Sequence, residues 1–284
     1  MEKLPLVSVV MITYGHEMFI EEAINSVLMQ ECDFNIELIV ANDASPDNTD
    51  FVIQNILKSH HRASIIHYIK HDKNMGMMPN FIFSLQQSKS KYIALCEGDD
   101  YWTDLLKLQK QVDFLKNNPD FGICFHRANL LQKGTLNLHQ IPKEFENKSF
   151  DYIELLKHYN FITTASVVFR KPESFCFPNW FLNLPFGDMG LYKLVSKSRK
   201  IYCLPEIMSV YRIHDNGIWS GIKQIESKKV YLNFYRIIYQ ALNKEEKKVI
   251  KNKISLIKVE IANLKFPKNG ILSKIYSTYL LLKF

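Results

Sequence analysis

The stretch Tyr92-Ile93-Ala94-Leu95-Cys96-Glu97-Gly98-Asp99-Asp100 limits the folds open to this chain more than any other. A short apolar run of strand type stops at three carboxylates within four residues. Folding has no use for that crowding, because neighbouring carboxylates repel and Asp is a poor strand former. A run that is apolar on both faces belongs in a sheet covered on both sides. Hard oxygen donors packed at its end suit Mg²⁺ or Mn²⁺. A solvated acidic turn is the alternative. The strand that leads in, and the aromatics Tyr101 and Trp102 that lead out, favour a metal–diphosphate site.

Read from its start, the chain repeats this arrangement. Residues 7–14 (VSVVMITY) are β-branched and nearly all apolar, and predict a buried strand; residues 37–41 (ELIVA) predict a second. Between them Glu17 to Gln30 alternates on a helical period, with Phe19, Ile20, Ala23, Ile24, Val27 and Leu28 on one face. The second strand runs into the turn and cap cluster Asn42-Asp43-Ala44-Ser45-Pro46-Asp47-Asn48-Thr49. A helix to Leu57, a strand from Ser64 to Tyr68, the turn Asn74-Met75-Gly76 and a helix from Pro79 to Gln87 lead to the acidic stretch. A helix over Leu105–Leu115 and a strand over Gly122–Phe125 follow.

Such alternation predicts an α/β fold with a Rossmann-like, mostly parallel central sheet flanked by helices. Ligands in open α/β sheets sit at the carboxyl ends of the strands. Thr13-Tyr14, Asn42-Asp43 and Glu97 to Asp100 all fall there, which implies one nucleotide-sized cleft. No G-x-G-x-x-G and no P-loop is present, so phosphate charge must be met by a metal and side chains. That argues against a dehydrogenase or a kinase.

Beyond residue 128 the pattern thins. Gly134 to Ser149 reads as an irregular polar excursion, Tyr152 to His158 as a helix and Thr163 to Phe169 as a strand. Asp188 falls in the first turn of a further helix, and a strand over Ile207–Ile213 ends in His214-Asp215-Asn216. From Lys223 onward the chain is helical, broken over 267–270. The expected organisation is a catalytic domain over 1–221, with a nucleotide-binding half (1–128) and an acceptor-binding half (129–221), followed by a helical extension over 222–284.

Charge divides at the same point. Residues 222–284 carry 14 Lys and Arg against 4 acidic residues, whereas 1–221 carry 22 against 25. A near-neutral body with a basic tail implies an anionic partner for the tail, with phospholipid favoured over nucleic acid, or else a solvated helical face. Basic and apolar residues interleaved over 264–284 suit shallow interfacial binding; packing on the body or on a second subunit is the alternative. No run approaches the roughly 18 apolar residues of a membrane span, and the N-terminal residues do not form a signal peptide. Five cysteines without C-x-x-C spacing indicate reduced thiols and a cytoplasmic setting.

Taken together, the first strand, the 42–49 turn, Asn74-Met75-Gly76 and Glu97-Gly98-Asp99-Asp100 resemble the bacterial family 2 glycosyltransferases of the GT-A fold. The resemblance is dense over residues 5–128 and returns at Gly187-Asp188 and Tyr211-Arg212-Ile213-His214. It implies an inverting, metal-dependent transfer of a sugar from a nucleotide diphosphate donor, commonly UDP-linked, to the hydroxyl of a saccharide or lipid-linked saccharide, using Mn²⁺ or Mg²⁺. By position it implies that Thr13, Tyr14 and Glu17 line the uridine pocket and that Asp43 accepts a hydrogen bond from the base. Read from the residues, Asn74 and Asn80 are further candidate polar groups of the cleft, with helix capping or solvent exposure as the alternative. Asp99 and Asp100 match the metal and ribose carboxylates, Asp188 the catalytic base, and His214 a histidine that approaches metal and diphosphate. Two positions depart from the family pattern: Asn42 stands where Asp is usual, and so does Glu97.

Read from the residues alone, Asp188 could equally complement its helix dipole, and His214 could be an ordinary satisfied histidine. Trp102 is expected to pack beneath the loop rather than stack on a sugar. A nucleotidyltransferase would want a glycine-rich basic loop after the first strand, and Thr13-Tyr14-Gly15-His16-Glu17 is not one. A degenerate binding module is disfavoured by the presence together of Asp43, Asp99, Asp100 and Asp188.

Overall fold

The computed structural model describes residues 5–197, 199–215, 217, 222–267 and 270–282. Asn216, the 218–221 end of the expected catalytic domain, and residues 268, 269, 283 and 284 of the tail lie outside the described residues.

β1 (Val7–Thr13), α1 (Ile20–Leu28), β2 (Ile36–Asn42), α2 (Thr49–Ser59), β3 (Ile66–Lys70), α3 (Met77–Gln87) and β4 (Tyr92–Leu95) alternate as the sequence predicts. After the acidic turn come β5 (Tyr101–Trp102), α4 (Lys107–Asn117), β6 (Phe121–Gln132), β7 (Thr135–Leu138), β8 (Ser149–Phe150) and α5 (Tyr152–Leu156). Then follow β9 (Val168–Arg170), α6 (Asn179–Leu182), α7 (Asp188–Ser196) and β10 (Lys200–Ile213). The helices α8 (Gln224–Ile238), α9 (Lys244–Lys265) and α10 (Gly270–Leu282) complete the described chain.

Among the described residues all ten strands join one sheet in the order β3-β2-β1-β4-β9-β6-β10-β5, with β7 beside β6 and β8 beside β10. From β3 to β4 every pairing is parallel, and β6 and β10 are parallel too. Between these parts β9 runs antiparallel to both β4 and β6. The strand expected over 163–169 is therefore shorter and later: Thr164–Ser166 form a 3₁₀ turn before it.

Side chains alternate across the sheet and build two cores. Val7, Val9, Met11, Leu38, Val40 and Ala94 meet α1, α2 and α4 on one face through Ile24, Val27, Ile53 and Val112. Val10, Ile39, Ile93 and Leu95 point the other way, into a larger core shared with α3, α5, α7, α8 and α9. The C-terminal helices thus take part in the main core: Phe234 of α8 stacks on Phe186 at 4.6 Å, and Lys193 of α7 meets Glu246 of α9 at 2.5 Å. Asn243 and Glu246 close a capping box at the start of α9, which fixes where that helix begins.

The excursion expected to be irregular holds a hairpin. Lys133 and Gly134 both have positive φ (48° and 78°), and Gln132 pairs directly with Thr135. A two-residue loop of that kind is the tight connection that matches strand twist.

Candidate active site

The carboxyl ends of β1, β2 and β4 are stitched together before any side chain acts. Asp43 N donates to Thr13 O at 3.0 Å, and Gly98 N donates to Ile12 O at 3.0 Å. The acidic turn is thereby drawn against the end of β1. The approach is so close that a Cβ at Gly98 would lie 2.7 Å from Thr13 Oγ1 and 2.9 Å from His16 Nδ1. A cleft of about 490 Å³ opens here, and its lining includes Thr13, Tyr14, His16, Asp43, Asn74, Glu97, Asp99, Asp188 and Tyr211.

Asp43 accepts from Met75 N at 2.8 Å and from Gly76 N at 2.9 Å, so it holds the 74–76 loop over the cleft. Asn74 Oδ1 takes part by accepting from Gly76 N at 3.0 Å. Tyr14 is half exposed at the rim. Glu17 does not line the cleft; its carboxylate accepts from Asn48 N at 2.8 Å and braces the 42–49 turn. The amide at Asn42 has a local cause: Nδ2 donates to Tyr68 Oη at 2.9 Å, and that hydroxyl donates to Asp50 at 2.6 Å. A carboxylate at 42 would leave Tyr68 one proton for two acceptors. Asn80 lines the cleft as well and is held there, donating to Ala41 O and meeting His71.

The two adjacent aspartates differ in burial and in partners, although their carboxylates stay within 4.8 Å of each other. Asp99 lines the cleft, where its Oδ2 meets His214 Nε2 at 3.0 Å and His16 Nε2 at 3.7 Å. Burial pushes its carboxyl up, but the hydrogen bond from His214 and the neighbouring His16 outweigh that and hold it below the usual range. Asp100 is fully buried; Oδ1 accepts from Arg212 N at 2.9 Å, while Oδ2 has no hydrogen-bond partner. Burial, with Asp99 and Glu97 adding, raises it well above the ordinary value.

Arg212 is the clamp that the sequence reading quoted without giving it a role. Its guanidinium donates to Asp99 O at 2.6 Å, pairs with Glu22 and lies over Tyr101 at 4.3 Å. It reaches the turn because β5 pairs with β10, Val210 opposite Tyr101, which folds the end of β10 over the carboxylates. His16, in the loop after β1, also reaches the acidic turn, with Nε2 3.7 Å from Asp99 Oδ2. Trp102 packs as expected, buried, with Nε1 donating to Ala165 O at 2.8 Å.

Asp188 opens α7 and also lines the cleft. Asn160 donates to it at 3.3 Å and Thr164 at 3.4 Å. Burial pushes its carboxyl up to about 6, partly offset by the Thr164 hydrogen bond. Glu97 lies electrostatically between Asp99 and Asp188; burial and then those two charges raise it well above the ordinary value. Glu97 therefore belongs to the cleft.

A crowded set of carboxylates, an unpartnered buried oxygen on Asp100, and imidazoles on Asp99 fit a divalent cation. Two groups of potential ligands share Asp99: Glu97, Asp99 and Asp100, and His16, Asp99 and His214.

A parallel half with carboxylates at its strand ends, closed by a mixed half, is the GT-A arrangement. The glycosyl transferase family 2 model matches residues 8–174, and the chain belongs to that family. It is 35% identical over 219 residues to an uncharacterized protein of Mycobacterium tuberculosis, covering 75% of this chain and 60% of that protein's length. It is 32% identical over 236 residues to TuaG of Bacillus subtilis, named as a glycosyltransferase of teichuronic acid biosynthesis, covering 82% of this chain and 88% of TuaG. In fold it resembles the mannosyltransferase PcManGT from Pyrobaculum calidifontis, solved with GDP-Man and Mn²⁺ (TM-score 0.65, 13% identity, 99% of this chain and 75% of that one). It also resembles S. aureus TarS 1–349 solved with UDP-GlcNAc (TM-score 0.60, 13% identity, 97% and 89%).

Proposed function

We propose that the chain transfers a sugar from a nucleotide diphosphate donor, UDP-linked in the first instance, to an acceptor hydroxyl with inversion. The observation that carries this reading is that Asp99 and Asp188 line one cleft that Asp43 and its loop also border. Asp188, with its carboxyl at about 6, is ionised at neutral pH yet basic enough to take the acceptor's proton during attack. A single base on the face opposite the leaving group leads to inversion, by the logic that governs inverting glycoside hydrolysis. Thr13, Tyr14 and the Asp43-held loop bind the nucleoside; Asp99 and His214, backed by Asp100, hold a divalent ion. When bound, that ion neutralises charge on the diphosphate leaving group. Arg212 keeps the turn in register from behind.

The acceptor lies on the side lined by Phe161, Ile162, Phe186 and Tyr231, an apolar wall suited to a saccharide ring face. Likeness to TuaG supports a place in bacterial cell-surface polysaccharide synthesis, with a saccharide or lipid-linked saccharide as acceptor. Release of nucleotide from UDP-, GDP- and dTDP-sugars by the purified chain with Mn²⁺ tests the reading. One donor class is expected to support acceptor-dependent release, and release from none would sink it.

No helix among the described residues is long and apolar enough to cross a membrane. The exposed apolar residues of the tail support contact with the inner face of the membrane: on α10 Ile271 and Ile275 are exposed with Lys274 between them in sequence, and on α9 Leu256 is exposed too. Vesicles of anionic phospholipid are expected to sediment the wild-type chain. The pair Ile271→Glu and Ile275→Glu should sediment several-fold less, and equal sedimentation would remove the membrane from the scheme.

A further inference from the structure

We propose that His16 joins Asp99 and His214 in one metal site, and that this two-imidazole, one-carboxylate set selects a transition-series divalent ion such as Mn²⁺ over Mg²⁺. The inference rests on reading the cleft as the site of a metal-assisted transfer, and it concerns which of this chain's side chains hold the ion.

The three donors arrive from separate parts of the chain: the turn after β1, the turn after β4, and the end of β10. Asp99 Oδ2 lies 3.0 Å from His214 Nε2 and 3.7 Å from His16 Nε2. All three donor atoms fall within 4.8 Å of one another. Around an ion with bonds of about 2.1 Å, neighbouring ligands stand about 3.0 Å apart at right angles and about 3.4 Å apart tetrahedrally. The His214 edge matches those values, and the His16 edge exceeds the larger of them by about 0.3 Å, a gap that a small shift on binding an ion would close.

A hydrogen bond to the carboxylate accounts for His214 alone. It leaves unexplained a second imidazole aimed at the same oxygen from 3.7 Å, beyond hydrogen-bond reach. The other ring nitrogen of His16 is already engaged: Nδ1 meets Thr13 Oγ1 at 3.2 Å. Such a contact behind a ligating histidine fixes the ring and turns Nε2 toward the ion. His214 is held by its face, against Phe19 at 4.6 Å.

The alternative set, Glu97, Asp99 and Asp100, is all oxygen and would suit Mg²⁺. Imidazole nitrogen favours the transition series. Because Asp99 belongs to both sets, the preferred ion reveals which set binds. Asp100 Oδ1 is taken by Arg212 N, so its unpartnered Oδ2 is the oxygen it would bring to the all-oxygen set.

The test uses the full chain stripped with chelator, with Mn²⁺ as the probe, with and without UDP. Electron spin-echo spectroscopy of bound Mn²⁺ should report two imidazole nitrogens in the wild type and one in His16→Gln. Titration of the free Mn²⁺ signal should give His16→Gln a tenfold or greater loss of Mn²⁺ affinity with Mg²⁺ affinity unchanged. His61→Gln, exposed in the turn after α2, should match the wild type. Wild-type Mn²⁺ without nitrogen coupling, no Mn²⁺ binding in either condition, or unaltered affinity in His16→Gln would overturn the proposal. Failure of the transferase reading looks different: nitrogen-bound Mn²⁺ with no donor turned over.

Discussion

Asp188→Asn is expected to lower turnover by about 10²–10⁴-fold while donor affinity stays within about threefold, as loss of a general base does. The change is nearly isosteric and keeps a group able to meet Asn160 and Thr164, so the start of α7 should survive it. What disappears is the ability to take a proton. Calorimetry with donor and Mn²⁺, beside acceptor-dependent nucleotide release, separates the two effects. Unimpaired turnover would remove Asp188 as base. The pH profile carries the same information. Burial puts the Asp188 carboxyl at about 6, and only its ionised form can act, so the rate should fall about tenfold per unit below that pH and level off above it. In the Asn variant the residual rate should lose this limb.

Gly98→Ala should be strongly damaging to the cleft. Its Cβ would sit 2.7 Å from Thr13 Oγ1 and 2.8 Å from Thr13 Cβ, and Thr13 is itself buried on β1. Neither partner is the loose end of a flexible side chain. The acidic turn must therefore lift away from β1, moving Asp99 relative to both histidines. A cost of about 1–3 kcal/mol in stability follows from forced overpacking. Donor and Mn²⁺ affinity should drop tenfold or more, because a ligand set displaced by a fraction of an ångström no longer encloses one ion. Urea denaturation and calorimetry measure the two separately; a variant that melts lower yet binds donor as the wild type does would show that the turn tolerates displacement.

These residues differ in how far the sequence revealed them. The half to residue 128 was legible because each strand there is a compact apolar run bounded by turn residues, and the cleft follows from where those runs end. The second half hid its strands. β6 carries His126, Arg127 and Asn129 within one strand, so only its first residues read as apolar. β10 is 14 residues long, but Pro205 and Glu206 interrupt it and its register against β6 slips between Leu204 and Ile207, so only its last part was visible. Lys133-Gly134 was a readable hairpin signal, overlooked among polar neighbours.

Arg212 and His16 could not be ranked from sequence, because their importance comes from strands that meet only in the fold. The pairing of β5 with β10 brings Arg212 to the turn, and the closeness of Gly98 to β1 sets His16 beside Asp99. Asn42 illustrates the opposite case. It looked like a loss at a functional position, and the structure supplies a local hydrogen-bonding reason for the amide.

Tyr231 brings α8 into the wall of the cleft, and the same helix packs Phe234 and Tyr235 into the main core. A Tyr231→Ala change, which spares those core residues, would therefore leave a vessel with a pane missing. Water would gain entry beside any bound donor, which would be spent by hydrolysis. Leakage of free sugar, more than loss of nucleotide affinity, would mark such a variant.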